Sequence, residues 1–242
     1  MKFNDRVTNV GLFVILAGFG LIYFDTSYWH TEANVWVGVG CSLLASACVI
    51  LLNNFLVTAK KEDPLENWGI AKIYKTRALK NEDSDPELDN AKYIVDAVAF
   101  GLGTFRMQQT ARVERCLKRG VNFRILTMDP NSKFVRQREI EENSAKDQIK
   151  KSINDLVEWA DSFNKKDYGG KITIKSYSCM TLDFYWRVDD DIYVGPYWYK
   201  YGSQQTITFR FNDKGDAFKL YTEYFERLWN DPEMKTLTAP IS

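Results

Sequence analysis

The sequence predicts an α/β protein in two parts: an N-terminal two-helix transmembrane hairpin, then one mixed-sheet domain with helices packed on the sheet. Three observations carry that prediction. Two long runs near the start lack any charged residue, strand and helix patterns alternate behind them, and late segments alternate apolar with polar residues at period two.

The first run, residues 7–24, reads VTNVGLFVILAGFGLIYF, and the second, residues 35–57, reads VWVGVGCSLLASACVILLNNFLV. Crossing the hydrocarbon core of a bilayer takes roughly 20 apolar residues at about 1.5 Å each, and both runs reach that length. A signal peptide has a shorter apolar core and no second run behind it, so two full spans are expected. Lys2 and Arg6 precede the first run, Lys60 and Lys61 follow the second, and loop 25–34 between them holds Asp25 and Glu32 but no Lys or Arg. The positive-inside rule then puts both ends in the cytoplasm and the loop outside, with Tyr23, Tyr28, Trp29 and Trp36 as an aromatic belt. Gly11, Gly18, Gly20, Gly38, Gly40, Ser42 and Ser46 let helices approach closely. They serve equally to pack the hairpin against itself or against other copies. The expected organisation is a hairpin over 1–57, a juxtamembrane linker over 58–63 and a cytoplasmic domain over 64–242.

Asp63-Pro64 reads as a helix start, with Pro at the first helical position. A short strand is expected over 70–74, a polar loop over 81–86 and an interior strand over 93–100 (YIVDAVAF). The turn Gly101-Leu102-Gly103-Thr104 leads into a helix that Gly120 stops, and a second strand over 121–128 ends at Asp129-Pro130. One long helix is expected over 139–165, its second half burying Ile149, Ile153, Leu156, Ala160 and Phe163. Strands follow over 171–177, 182–188, 192–198 and 206–211, and a last helix from Asp216 carries Phe218, Tyr221, Phe225 and Leu228 on one face.

The chemistry is informative mainly by omission. The chain has 242 residues, zero formal net charge and a single histidine, His30, in the predicted external loop. Mechanisms that need a cytoplasmic histidine are thereby excluded, and neutrality argues against coating nucleic acid by bulk electrostatics. Cys41, Cys48, Cys116 and Cys179 show no metal-ligand spacing and read as packing residues in a reducing compartment. Asp129 and Asp189-Asp190-Asp191 lie at strand ends, where Asp-rich turns are commoner than metal sites. Gly101 and Gly103, between a strand and a helix, form either a purely structural tight turn, the commoner case for GxG without a third glycine, or one that cradles a phosphate on backbone N–H groups. No cofactor is implied.

Four blocks, YIVDAVAFGLGTF, CLKRGVNFRILTMDPNS, LDFYWRVDDDIYVGPYW and FRFNDKGDAFKLYTEYFERLW, resemble divergent single-copy members of the phospholipase D superfamily. They cover residues 68–229. The family's catalytic His-x-Lys-x4-Asp falls on Leu182, Phe184 and Asp189, so the nucleophile and the phosphate-binding lysine are missing. The resemblance therefore implies a pseudoenzyme that is unable to form a phosphohistidine. It also implies a surviving pocket, with Gly101, Gly103, Thr104 and Arg106 from the turn and Arg187, Asp189, Tyr197 and Tyr199 from strand ends as its ligand-binding candidates. Two spans fused to a non-catalytic module further resemble membrane effectors of bacterial antiphage systems, including retron-associated two-transmembrane effectors. That resemblance implies a bacterial inner-membrane protein that self-associates through its spans. Its trigger would be a reverse transcriptase–nucleic acid complex or a nucleotide signal, and a passive scaffold or headgroup-binding module is the alternative.

Overall fold

The computed structural model describes residues 5–29, 35–60, 64–179 and 183–239, in two compact units that meet between Asp63 and Pro64. His30, Lys61 and Leu182 lie outside the described residues.

In the first unit, α1 (Asp5–Phe24) continues through a π-helical turn (Asp25–Trp29), and α2 (Val35–Lys60) returns alongside it. Two segments, Val7–Tyr28 and Val35–Leu56, are each 22 residues long and apolar enough to cross a membrane. The end of α1 and the start of α2 are tied by the buried Asp25 carboxylate, which accepts the N–H of Val37 at 3.3 Å. At the other ends Asn54 donates to Thr8 at 3.3 Å. Gly18 and Gly40 let the backbones touch: a Cβ on Gly40 would lie 2.7 Å from the Gly18 carbonyl oxygen. Gly20 and Gly38 have open space around them instead. The small residues thus divide into an inner set that packs the hairpin and an outer set that faces away. Helix α2 also absorbs residues 58–60 of the expected linker, since nothing in TAK stops a helix.

The second unit opens with α3 (Pro64–Trp68), β1 (Ile70–Tyr74), α4 (Arg77–Ser84), a 3-10 turn (Pro86–Asn90), β2 (Ile94–Val98) and α5 (Gly103–Lys118). It continues with β3 (Asn122–Met128), α6 (Lys133–Glu141), α7 (Gln148–Asn164) and β4 (Ile172–Tyr177). It closes with β5 (Asp183–Val188), β6 (Asp191–Pro196), β7 (Thr208–Asn212), α8 (Asp216–Trp229) and the two-residue β8 (Lys235–Thr236). The strands form one mixed sheet in the order β1-β7-β6-β5-β2-β3-β4-β8. Strands β2, β3 and β4 run parallel, while β5 joins β2 antiparallel, with Val98 opposite Tyr185 and Val95 opposite Val188.

Each face of the sheet carries its own apolar core. Ala97, Phe123, Ile125 and Trp186 face α5 and α7, whereas Val98, Leu126, Tyr185 and Phe225 form the opposite core with α8. Burial on both faces explains the nearly continuous apolar runs of β2 and β3.

Three expectations are corrected. Residues 81–86 are not a loop: Arg77–Ser84 is a helix, started by Thr76, whose Oγ accepts the N–H of Leu79 at 3.3 Å. Residues 139–165 are not one helix. Asn143 and Asp147 take left-handed φ of 54° and 64°, and the buried Glu139 carboxylate accepts the N–H groups of Asp147 (3.1 Å) and Ile149 (3.0 Å). Glu139 thus caps the start of α7, which a continuous helix would forbid. The last central strand is Thr208–Asn212, later than the expected 206–211.

One polar cluster crosses the second core. Asp96, fully buried on β2, accepts from Arg124 Nε and Nη2 at 2.7 and 2.8 Å, and Arg124 reaches Glu226 on α8 at 2.7 Å. Asp96→Ala leaves that arginine half-buried without its main partner. The expected loss is about 3 kcal/mol of domain stability, read as a lower urea midpoint by tryptophan fluorescence.

Candidate functional site

The described residues enclose a pocket of about 200 Å3 beyond the C-terminal end of β2. It is built where the chain turns from β2 into α5. Gly101 sits at φ 58°, and a Cβ there would lie 2.2 Å from Ser152 Oγ, so only glycine fits. Leu102 follows at φ 47° as the N-cap of α5 and supplies no side-chain hydrogen bond. The intrahelical ladder begins at Arg106 N–H to Leu102 C=O, 2.9 Å. The first-turn N–H groups of Gly103, Thr104 and Phe105 therefore have no side-chain cap, and the positive end of a 16-residue helix points toward the pocket that these residues line.

Helix α4 brings two cations to the same place. Arg77 and Lys80 are three residues apart, on the inward face, and only 3% and 2% exposed. The Arg77 guanidinium lies 4.0 Å from the Phe184 ring centroid and 4.9 Å from that of Tyr197, and it donates to Thr206 Oγ1 at 3.1 Å. The Lys80 ammonium sits among Tyr193 (4.7 Å), Trp186 (5.0 Å) and Phe184 (5.4 Å). Among the described residues neither cation forms an ion pair. Nearby carboxylates are engaged elsewhere: Asp85 accepts from Gln109 at 2.6 Å, and Glu87 accepts from Tyr193 at 2.6 Å and pairs with Arg210 at 3.1 Å. Arg77 Nε and Trp186 Nε1 are buried donors without a partner. Burial pushes the Arg77 guanidinium below its usual value and the Lys80 amine down to about 7. Asp85 is the one carboxylate on the wall, and burial raises it.

Of the residues expected here, Gly103, Thr104 and Tyr197 line the pocket and Gly101 forms the turn beside it. Arg106 turns away, donating to Gly101 C=O at 3.2 Å and meeting Asp155 at 3.6 Å. Tyr199 is 68% exposed on the surface and does not line the pocket. Arg187 and Asp189 lie at the opposite end of the sheet, because antiparallel β5 carries Val188 beside Val95, at the start of β2. There the Asp189 carboxylate accepts the N–H groups of Lys92, Tyr93 and Ile94 at 2.8, 3.1 and 3.1 Å. Phe184, by contrast, is in the pocket wall beneath Arg77. The sequence reading missed Arg77 and Lys80 because it placed no helix there. The available signal was Thr76 as a cap, followed by Arg77, Lys80 and Ser84 on one face.

Fold and pocket together define an α/β domain with a small, cationic, partly aromatic binding site, in a chain that also carries two span-length helices. No protein-family profile matches the chain, and no curated protein sequence does. Solved structures similar to it include TrmBL2, an archaeal chromatin protein, at 14% identity, covering 82% of this chain, with a TM-score of 0.43. The chain spans 64% of the length of TrmBL2. Also similar are Nuc from Salmonella typhimurium, a phospholipase D family member, and NucT from Helicobacter pylori. Their identities are 12% and 10%, and the TM-score is 0.42 for each. The matches cover 66% of this chain and 91% of Nuc, and 65% of this chain and 94% of NucT.

The position of Asp189 yields a test. Asp189→Ala frees three backbone donors remote from the pocket and is expected to cost about 2 kcal/mol of stability. The loss is checked as a lower urea midpoint by tryptophan fluorescence.

Proposed function

We propose that this chain is a membrane-anchored binding protein whose α/β domain takes a phosphate-bearing ligand in the pocket between α4 and the start of α5. The observation that carries this reading is the pair Arg77 and Lys80, both buried and, among the described residues, neither in an ion pair. Burying a cation without a counter-ion is strongly unfavourable, so an anion belongs in the site. The uncapped first turn of α5 adds donors of the kind that hold phosphate at helix N-termini. The volume, about 200 Å3, lies below the roughly 300–1,000 Å3 usual for larger organic ligands, which favours a phosphate group over a whole bulky ligand.

The role is binding and not phosphohistidine catalysis. The sequence has one histidine, His30, far from the domain in the chain, and Phe184 occupies the position of the family's lysine. In its finer form the reading is a membrane effector of an antiphage, retron-like system, in which ligand or partner binding releases the spans to assemble and breach the inner membrane. Support for assembly comes from the outer small residues: Gly38 has nothing near it, and Ser42, Ala45 and Ser46 share its exposed side of α2.

Two measurements test this. Sulfate, compared with chloride at matched ionic strength, should raise the melting temperature of the full chain in detergent micelles by about 3 °C at roughly ten times its dissociation constant. Equal melting in both salts removes the binding reading. For the effector form, induced expression in bacteria should depolarise the inner membrane, read with a voltage-sensitive dye. Gly38→Leu should abolish this while the hairpin still inserts. Depolarisation that survives replacement of both spans by an unrelated hairpin rules the effector form out.

A further inference from the structure

Resting on the anion-binding reading above, we propose that the group captured is a terminal, doubly charged phosphate, and that Lys80 is the amine that closes on it. Arg77 and Lys80 on α4 and the first turn of α5 line one pocket. Two cations and a helix dipole, opposed by the single wall carboxylate Asp85, whose proton affinity burial raises, match two negative charges better than the single charge of a phosphodiester. A diester also carries a substituent on each side of the phosphorus. Phe184 and Trp186, both buried, line the pocket, and its small volume of about 200 Å3 suits a phosphate with one substituent better than one with two.

Lys80 differs from Arg77 in having no hydrogen-bond acceptor among the described residues: its side-chain contacts there are three aromatic faces. The charged and titratable groups around it are Arg77 and Asp85 from the α4 segment, Glu87 from the following turn and the Tyr193 hydroxyl from β6; β5 presents only Phe184 and Trp186. In the empty pocket desolvation dominates, Asp85 opposes it, and the amine sits at about 7. A bound dianion favours the ammonium and pulls that value back up. The Lys80 proton is already present below pH 7, so an anion that stays doubly charged, as sulfate does, binds most tightly there. Above pH 7 it must be taken up on binding, so affinity falls by up to tenfold per pH unit.

The test uses the full chain in detergent micelles, with sulfate as the probe because it stays doubly charged across the range. Calorimetry should find sulfate binding roughly tenfold weaker at pH 8.5 than at pH 7, with proton uptake at the higher pH revealed by buffers of different ionisation heat. Lys80→Met should weaken sulfate binding about tenfold at pH 7, flatten the pH profile and raise the ligand-free melting temperature, since it removes a buried unpaired amine. Methyl phosphate should displace sulfate at least tenfold better than dimethyl phosphate does. Competition by methyl phosphate marks a soluble source. If phosphatidic acid in the micelle competes where methyl phosphate does not, and phosphatidylglycerol fails, the source is a lipid headgroup, and the terminal dianion stands. Equal competition by monoester and diester overturns the proposal. So does a Lys80→Met protein that binds sulfate with the wild-type affinity and pH profile, although the anion pocket itself survives that result. Absence of sulfate binding at every pH removes the pocket reading as well.

Discussion

Asp96 lies fully buried in the middle of β2, the strand on which the sheet changes from parallel to antiparallel pairing. An unpaired carboxylate there would cost several kcal/mol, and the bidentate Arg124 offsets part of that cost while linking β2, β3 and α8. Register follows from the same constraint. Asp96 pairs with Arg124 across the parallel ladder and with Arg187 across the antiparallel one, so both arginines fall on its own side. A slip of one residue would carry Asp96 to the opposite face of the sheet, away from Arg124 and among Val95, Ala97 and Phe123.

With β2 held in place, its C-terminal end is also placed. The chain must leave the sheet and start a helix within a few residues, which the left-handed pair Gly101 and Leu102 achieves. A leucine at the N-cap leaves the helix start uncapped in a pocket that already holds two buried cations. Each feature alone destabilises the fold. In the proposed reading they become complementary parts of one anion site, since strain and unsatisfied groups cluster where a ligand binds.

Arg77 and Lys80 show how such a site escapes a sequence reading. Periodicity finds the buried face of a helix by its apolar residues, yet the buried positions of α4 are Arg77, Lys80 and Ser84. By that rule the segment is a polar loop. The misplaced Asp189 has a related cause: a motif aligned on VDD says nothing of which end of the sheet it reaches, and the antiparallel pairing of β5 sends it away from the α5 turn.

The sequence by itself determined the two span-length helices, the strand–helix alternation, the glycine turn at Gly101–Gly103 and the lack of histidine in the α/β domain. These are legible because apolar run length, periodicity and composition are local properties. Tertiary structure alone decided that Thr104 and Tyr197 meet in one pocket, that Arg187 and Asp189 do not, and that Arg77 and Lys80 do. It also decided that Gly18 and Gly40 close the hairpin while Gly38 faces outward. Each of these depends on strand direction or helix rotation, which are set by contacts between residues far apart in the chain and leave no mark on local pattern.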